Sequence, residues 1–208
     1  MKIFSLLKFR TKMFLRFLVC VLAFSILTGC VSVQPILSAD APADPNSGYL
    51  SGQFSRVKLS GFGLVVKATD GSAEYVLSMG EDGNFPSAVE SQTVVMKLPP
   101  GTYRISQWVT YATLTKETLT RKSLENSPVS QPFKVAPGTV LHLGRYDLGG
   151  NKEIVFNGLK MNFKMSPLPT KQREVQSAFV LSYPKLAGLP FHCLFCVDTL
   201  RENQVARD

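Results

Sequence analysis

Phe62-Gly63-Leu64-Val65-Val66-Lys67-Ala68, then Asp70-Gly71, then Glu74-Tyr75-Val76-Leu77-Ser78-Met79 is the stretch that decides the fold. Phe62, Leu64, Val66 and Ala68 alternate with their neighbours, and so do Tyr75, Leu77 and Met79. A period of two puts every second side chain on one face of an extended strand. The Asp-Gly pair between them offers a glycine that accepts the positive φ of a tight turn. Together they predict a β-hairpin with one buried face.

The pattern recurs on both sides. Tyr49 to Leu59 predicts a strand, as does Gln92 to Leu98 with Val94, Met96 and Leu98 inward. Pro99-Pro100-Gly101 suits a type II turn. It leads into Tyr103 to Ala112, with Tyr103, Ile105, Val109 and Tyr111 expected on the core face. Phe133 to Val135 and a second corner, Pro137-Gly138-Thr139, precede Val140 to Leu148. There the inward set should switch at Gly144, from Leu141 and Leu143 to Tyr146 and Leu148, through a glycine bulge. Gly149-Gly150 is expected to turn the chain into Glu153 to Phe156, and Asn157-Gly158 marks a hairpin into Leu159 to Met165. Polar residues 113–131 read as a long loop or insertion with room for a short helix, and Gly80 to Asn84 as a turn without the spacing of a calcium loop. About eight strands at this spacing predict a mainly β chain, an antiparallel β-sandwich.

The tail changes period. Val175, Ala178, Phe179 and Ser182 fall at helical spacing, with Pro169 before them and Pro184 after. One helix packed on the sandwich is expected, then a short apolar segment from Phe191 to Val197 that carries Cys193 and Cys196.

Residues 1–29 hold Lys2, Lys8, Arg10, Lys12 and Arg16 and no acidic residue. The apolar run from Phe17 to Leu27 is about half of the 20 residues a spanning helix needs. A charged start followed by a short apolar core is the pattern of an export signal. It ends in Leu27-Thr28-Gly29-Cys30, which resembles the lipobox of bacterial lipoproteins. The resemblance implies cleavage before Cys30, with diacylglyceryl on its thiol and an acyl chain on its amine. That lipid would be the only prosthetic group and would hold the protein on its membrane. Val31, where an Asp would retain the protein inside, implies the outer membrane of a Gram-negative cell, on its periplasmic face or at the surface.

Four segments follow: a signal at 1–29, a lipidated cysteine and flexible tether at 30–48 (with an edge strand over Val31 to Leu37 as the alternative), a sandwich at 49–165, and a helix with a disulfide-bearing tail at 166–208. Lys97-Leu-Pro-Pro-Gly-Thr-Tyr-Arg-Ile105, paired with the stretch from Phe133 to Tyr146, resembles small bacterial lipoproteins carrying a prealbumin-like, carboxypeptidase-regulatory-like sandwich. That likeness covers roughly residues 50–165. Its motifs are turns and strands, so it implies a fold and no activity.

Charge and cysteines are best counted after the signal. The formal +8 falls to +3 once the signal's five cations go, leaving 18 basic and 15 acidic residues. The basic residues form no run or stripe, which speaks against a nucleic-acid partner. Cys20 leaves with the signal and Cys30 goes to lipid, so Cys193 and Cys196 remain. In an oxidising compartment such neighbours pair as a structural disulfide. The alternatives are a redox pair, free thiols, or a metal site, which would need two ligands besides the cysteines where His192 offers only one. No metal is expected.

Trp108 lies by alternation on the outer face, opposite Ile105 and Val109. There it is either covered by the helix or exposed as a partner-binding aromatic. His142 reads as a surface residue, with a catalytic base as the alternative. No phosphate loop, HExxH or dinucleotide fingerprint is present, so no catalytic residue and no enzyme is expected. The expected role is binding or structural, an accessory subunit with a protein partner in a cell-envelope assembly. The alternatives are a thiol-redox protein using Cys193 and Cys196, and a small-ligand or glycan binder.

Overall fold

Two β-sheets face each other across a core of large apolar side chains in the computed structural model, which describes residues 37–56, 61–79, 91–111, 118–155 and 158–198. Ten strands lie among the described residues: β1 Gly48–Arg56, β2 Gly61–Ala68, β3 Glu74–Met79, β4 Ser91–Leu98, β5 Gly101–Tyr111, β6 Thr118–Ser123, β7 Phe133–Val135, β8 Val140–Val155, β9 Gly158–Leu168 and β10 Phe191–Cys193. One α-helix, α1 (Gln172–Ser182), precedes β10. The fold is a β-sandwich with one packed helix. The first sheet runs β10-β8-β1-β4, with β9 also on β8. The second runs β3-β2-β5-β6, with β7 also on β5.

The alternation of the deciding hairpin holds. Phe62, Leu64, Val66, Ala68, Leu77 and Met79 all lie in the main core. Gly71 at the turn has φ +76°, the conformation that Cβ sterics deny to most residues. Val94, Met96 and Leu98 of β4 face inward as expected. From β1, Leu50 and Phe54 join them. The first sheet is not purely antiparallel, however: β1 pairs with β8 in parallel, and so does β10. The chain builds the whole second sheet between β1 and β8. A crossover of that length, unlike a hairpin, leaves its two ends free to run the same way.

β5 and β8 each carry a bulge, and at each bulge the outer neighbour changes. In β5, Val65 faces Gln107 and Val66 faces Ile105, so Ser106 is the extra residue. Ahead of it β5 pairs with β7, and beyond it with β6. In β8, Ser51 faces His142 and Gln53 faces Arg145, so Leu143 and Gly144 together oppose Gly52. Gly144 takes φ +95°, and the inward set switches there from Leu141 and Leu143 to Tyr146 and Leu148, as the sequence predicts. Ahead of it β8 pairs with β10, and beyond it with β9.

Several expectations fail locally. Gly149-Gly150 does not turn the chain: β8 runs straight through to Val155 and forms its hairpin with β9 from Val155 and Gly158. A glycine pair permits a turn without requiring one, and the β9 ladder keeps it extended. Gly101 does not adopt a positive φ, because it already pairs with Val135 as the first residue of β5. The Tyr103 hydroxyl fixes that corner instead, donating to Pro99 O at 2.8 Å. The second corner does use its glycine, at Gly138 φ +63°. Within 113–131 the short helix is a 3-10 turn at Pro128–Ser130, while β6 at Thr118–Ser123 stands where a loop was expected. The 80–84 turn and the Cys30 anchor lie outside the described residues.

Trp108 is the main correction. The Ser106 bulge shifts the register by one, so Trp108 lies opposite Leu64 and points into the core at 4% exposure. Val109 moves to the other face, beside Val65 and Val76. Neither the helix nor a partner covers the indole; the sandwich does. Its ring lies 6.1 Å from Phe62, which meets Phe54 at 5.3 Å, which in turn stacks on Tyr146 at 5.9 Å. Lys122 sits over the indole at 5.5 Å from the ring centre. Truncating Trp108→Ala should therefore destabilise the domain by about 3–5 kcal/mol. A urea midpoint essentially unchanged from wild type would mean that the indole is not a core residue.

Candidate functional site

Cys193 ends β10, and Cys196 lies in the short turn after it. Cys193 and Cys196 are joined in a disulfide, Cα to Cα 5.6 Å, the first of the expectations for that pair. Both are fully buried and pack against Val175 of α1. The segment around them clamps the start of the helix. Lys171 at the N-cap offers no side-chain cap. The Asp198 carboxylate instead accepts the Gln172 N–H at 3.1 Å, a negative group placed where the first helical amides point. Gln172 Oε1 accepts the Cys193 N–H at 3.0 Å, and Val197 N–H donates to Thr170 O at 3.0 Å.

The helix lies on the outer face of the first sheet, where Phe179, Tyr183 and Leu186 pack on Tyr49, Val95 and Val140. Beneath this layer is His142. It does face away from Leu141 and Leu143, but it is fully buried and not on the surface. The register sets it in one row with Ser51 and Cys193. Its Nδ1 accepts the Gly144 N–H at 2.9 Å, which places the ring proton on Nε2. Nε2 is buried without a hydrogen-bond partner among the described residues. Burial pushes the His142 pKa down to about 3. A neutral ring sealed from solvent is not poised for base catalysis, and the geometry makes it part of the bulge.

A second place is open to solvent. At one end of the sandwich, the β2–β3 turn and the Pro99-Pro100 corner enclose a cleft of about 330 Å³. Tyr75 of β3 and Tyr103 of β5 flank β2 at Val66 and Ala68, and their rings meet edge to face at 6.2 Å and 63°. Ala68 and Ala73 carry only methyl groups there, so the sheets' end is left unfilled. Asp70 stands at the mouth, its Oδ1 accepting the Ser72 N–H at 2.9 Å and the Ser72 hydroxyl at 2.6 Å. The Ser72 hydroxyl and then its amide hold the Asp70 pKa below the ordinary value, so the group is a carboxylate at neutral pH. The sequence showed Asp70 as a turn residue and Tyr75 and Tyr103 as core. Only the meeting of two corners makes them neighbours.

Among the described residues no helix is long and apolar enough to cross a membrane, and no group of three or more His, Cys, Asp or Glu gathers as a metal site would. No protein-family model matches the chain, and no curated protein is similar to it. Two solved structures show a distant likeness. One is a leucine-rich repeat protein from Bacteroides thetaiotaomicron, 12% identical over 62% of this chain and 19% of that one, with a TM-score of 0.34. The other is a proposed cell adhesion protein from Bacteroides uniformis, 10% identical over 59% of this chain and 50% of that one, with a TM-score of 0.23. The chain thus spans about a fifth of the first and half of the second. Likeness at that level speaks to neither activity nor partner.

Two outcomes follow from the clamp. Closing a four-residue loop contributes about 2 kcal/mol through the unfolded chain, so Cys193→Ser with Cys196→Ser should lower stability by about that much. In the native protein the buried pair should resist alkylation after mild reductant, and react once urea is added. Ready labelling without urea would contradict the burial. For His142 the unfolded chain binds a proton near pH 6.5 and the folded one only near about 3. Stability is therefore full above pH 6.5 and falls as the pH drops towards 3, by about 1.4 kcal/mol per unit. A His142→Phe variant should lose this part of the acid sensitivity between pH 7 and 4.5, as read by urea midpoints.

Proposed function

We propose that this is a lipid-anchored protein of the bacterial cell envelope, held on the outer membrane through Cys30, with a binding or structural role as an accessory subunit of an envelope assembly. The observation that carries the reading is Leu27-Thr28-Gly29-Cys30 at the end of a basic-then-apolar leader. The buried Cys193–Cys196 disulfide supports an oxidising compartment. The same burial weighs against the thiol-redox reading, which needs a sulfur within a donor's reach.

The tether is shorter than its composition implies. Leu37 N–H donates to Val95 O at 3.0 Å on the free edge of β4, and Lys97 pairs with Asp44 at 3.1 Å. Gly138 N–H donates to Ser47 O, and the Tyr49 hydroxyl meets the Asp44 backbone. Residues 37–47 thus form a strap along the sandwich. Six residues lie between Cys30 and Leu37, and the seven Cα-to-Cα steps across them reach about 25 Å at most. In this reading the domain works close to its bilayer.

Expression in a Gram-negative host with an alkyne-labelled fatty acid tests the anchor. The wild-type chain should take up label and sediment with membranes, and Cys30→Ala should do neither. An unlabelled wild-type chain recovered in the soluble fraction would end the lipoprotein reading.

A further inference from the structure

The strap begins beside α1. Leu37 and Val180 both pack against the cluster of Phe179 and Tyr183, at the C-terminal end of the helix. The two elements also meet one edge of β4. Leu37 N–H donates to Val95 O at 3.0 Å, and the Tyr183 hydroxyl donates to Thr93 O at 3.4 Å. Two residues along a strand are about 7 Å apart. The chain between Leu37 and Cys30 therefore starts at this corner, and its seven Cα steps keep Cys30 within about 25 Å of it. The β4 edge belongs to the sheet whose outer face carries α1, so of the two broad faces this one lies nearer the anchor.

Val175 and Phe179 of α1 face the sheet. At about 100° per residue, Arg173, Ser177 and Leu181 fall on the opposite side, one behind another. Leu181 is 85% exposed, the one exposed large hydrophobic side chain among the described residues. Lys171 before the helix and Lys185 after it are exposed, as Arg173 is. Against these three cations, residues 171–185 hold one carboxylate, Glu174, which accepts the Thr170 hydroxyl at 3.0 Å. An apolar tip between cations suits a membrane interface: leucine enters the acyl boundary, while Lys and Arg reach anionic headgroups. A stable protein interface buries about 800 Å² on each side around an apolar centre, and a stripe with one leucine offers no such centre. So small a contact would hold a free protein weakly on a bilayer. A lipid tether makes the same contact intramolecular, and then it suffices.

We propose that the outer stripe of α1 lies on the bilayer that holds Cys30, with Leu181 in the acyl boundary and Arg173 and Lys185 at the phosphates of anionic lipids. This docking rests on the lipid-anchor reading and adds an orientation to it, with the helix towards the membrane and the second sheet away from it.

The test uses the full-length, lipidated protein in vesicles of phosphatidylethanolamine and phosphatidylglycerol that include a phospholipid with a nitroxide on its headgroup. A fluorophore is attached through Ser177→Cys on the stripe or, as the control, through Arg121→Cys. Arg121 lies opposite Val109, on the outer face of the second sheet. The buried disulfide and the lipid on Cys30 leave the new thiol as the reactive one. The nitroxide should quench the label at 177 about threefold or more over that at 121. Leu181→Glu changes an exposed position, so it should leave the urea midpoint unchanged and yet remove most of that difference. Phosphatidylcholine vesicles or raised salt should reduce it. Equal quenching at 177 and 121, or the full difference retained in Leu181→Glu, would overturn the proposal. A chain that incorporates fatty acid and sediments with membranes but shows equal quenching loses this docking and keeps its anchor. A chain that incorporates none loses both.

Discussion

The rest of the sandwich depends on the extra residue at Ser106. A strand with strict alternation would have sent Trp108 outward and Val109 inward, leaving a valine where the core has room for an indole. The bulge reverses this from Gln107 onward. It lets the Phe54–Phe62 contact, which bridges the sheets, extend at both ends, to Trp108 on one side and Tyr146 on the other. Ser106 also helps to hold its own irregularity, donating from its hydroxyl to Val65 O at 3.3 Å and accepting the Leu124 N–H at 2.8 Å. The bulge in β8 does the same for the other sheet, turning Tyr146 towards Phe54. Bulges bend and over-twist a strand, so its edge swings away from one neighbour and meets another. This explains why β5 trades β7 for β6, and β8 trades β10 for β9, close to these two points.

The first sheet then has an apolar outer face, with Tyr49, Val95 and Val140, that needs covering. An eleven-residue helix is marginal by itself. Here it is held by a carboxylate from beyond the disulfide, by the Gln172 side chain on β10, and by Val175 and Phe179 underneath. The disulfide's contribution is modest in loop entropy. Its larger effect is geometric, because it fixes the turn that carries Asp198 back to the helix start. His142 is the cost of this arrangement. Its Nδ1 satisfies the bulge amide of Gly144, and its Nε2 proton is left buried under the helix without a partner among the described residues.

How much of this was legible in the sequence depended on whether alternation survived. Where strands are regular, as in β2, β3 and β4, the period of two named the core residues and the hairpin directly. Gly144 could also be read, because the apolar set on either side of it visibly changes phase. Ser106 could not. A serine bulge has no glycine to flag it, and Trp108 and Val109 are both apolar, so either phase looks acceptable. β6 was hidden for a related reason: it is an edge strand whose Thr118, Arg121, Lys122 and Ser123 are exposed, so polar residues run through it without alternation. His142 was placed on the correct side of its strand. Its burial was invisible because the helix that covers it arrives 30 residues later.

The cleft was illegible for a deeper reason. Its parts come from two corners that sequence reading treats as punctuation, Asp70-Gly71 and Pro99-Pro100. Each corner's local chemistry is fully accounted for within itself: Asp70 holds Ser72, and Tyr103 holds Pro99. Only the register that sets Ala68 opposite Tyr103, and Val66 opposite Tyr75, brings a turn carboxylate beside two rings. The same end of the sandwich receives the strap, since Gly48 at the start of β1 faces Leu98 just before the Pro99-Pro100 corner. Gly48 can accept no side chain there, because a Cβ would lie 2.2 Å from Val135 and 2.6 Å from Ala136 O. The strap, the proline corner and the cleft are therefore one packed unit. A change in how the strap lies on β1 and β4 reaches the Leu98–Gly101 wall of the cleft through backbone, with no loose segment between them to absorb it.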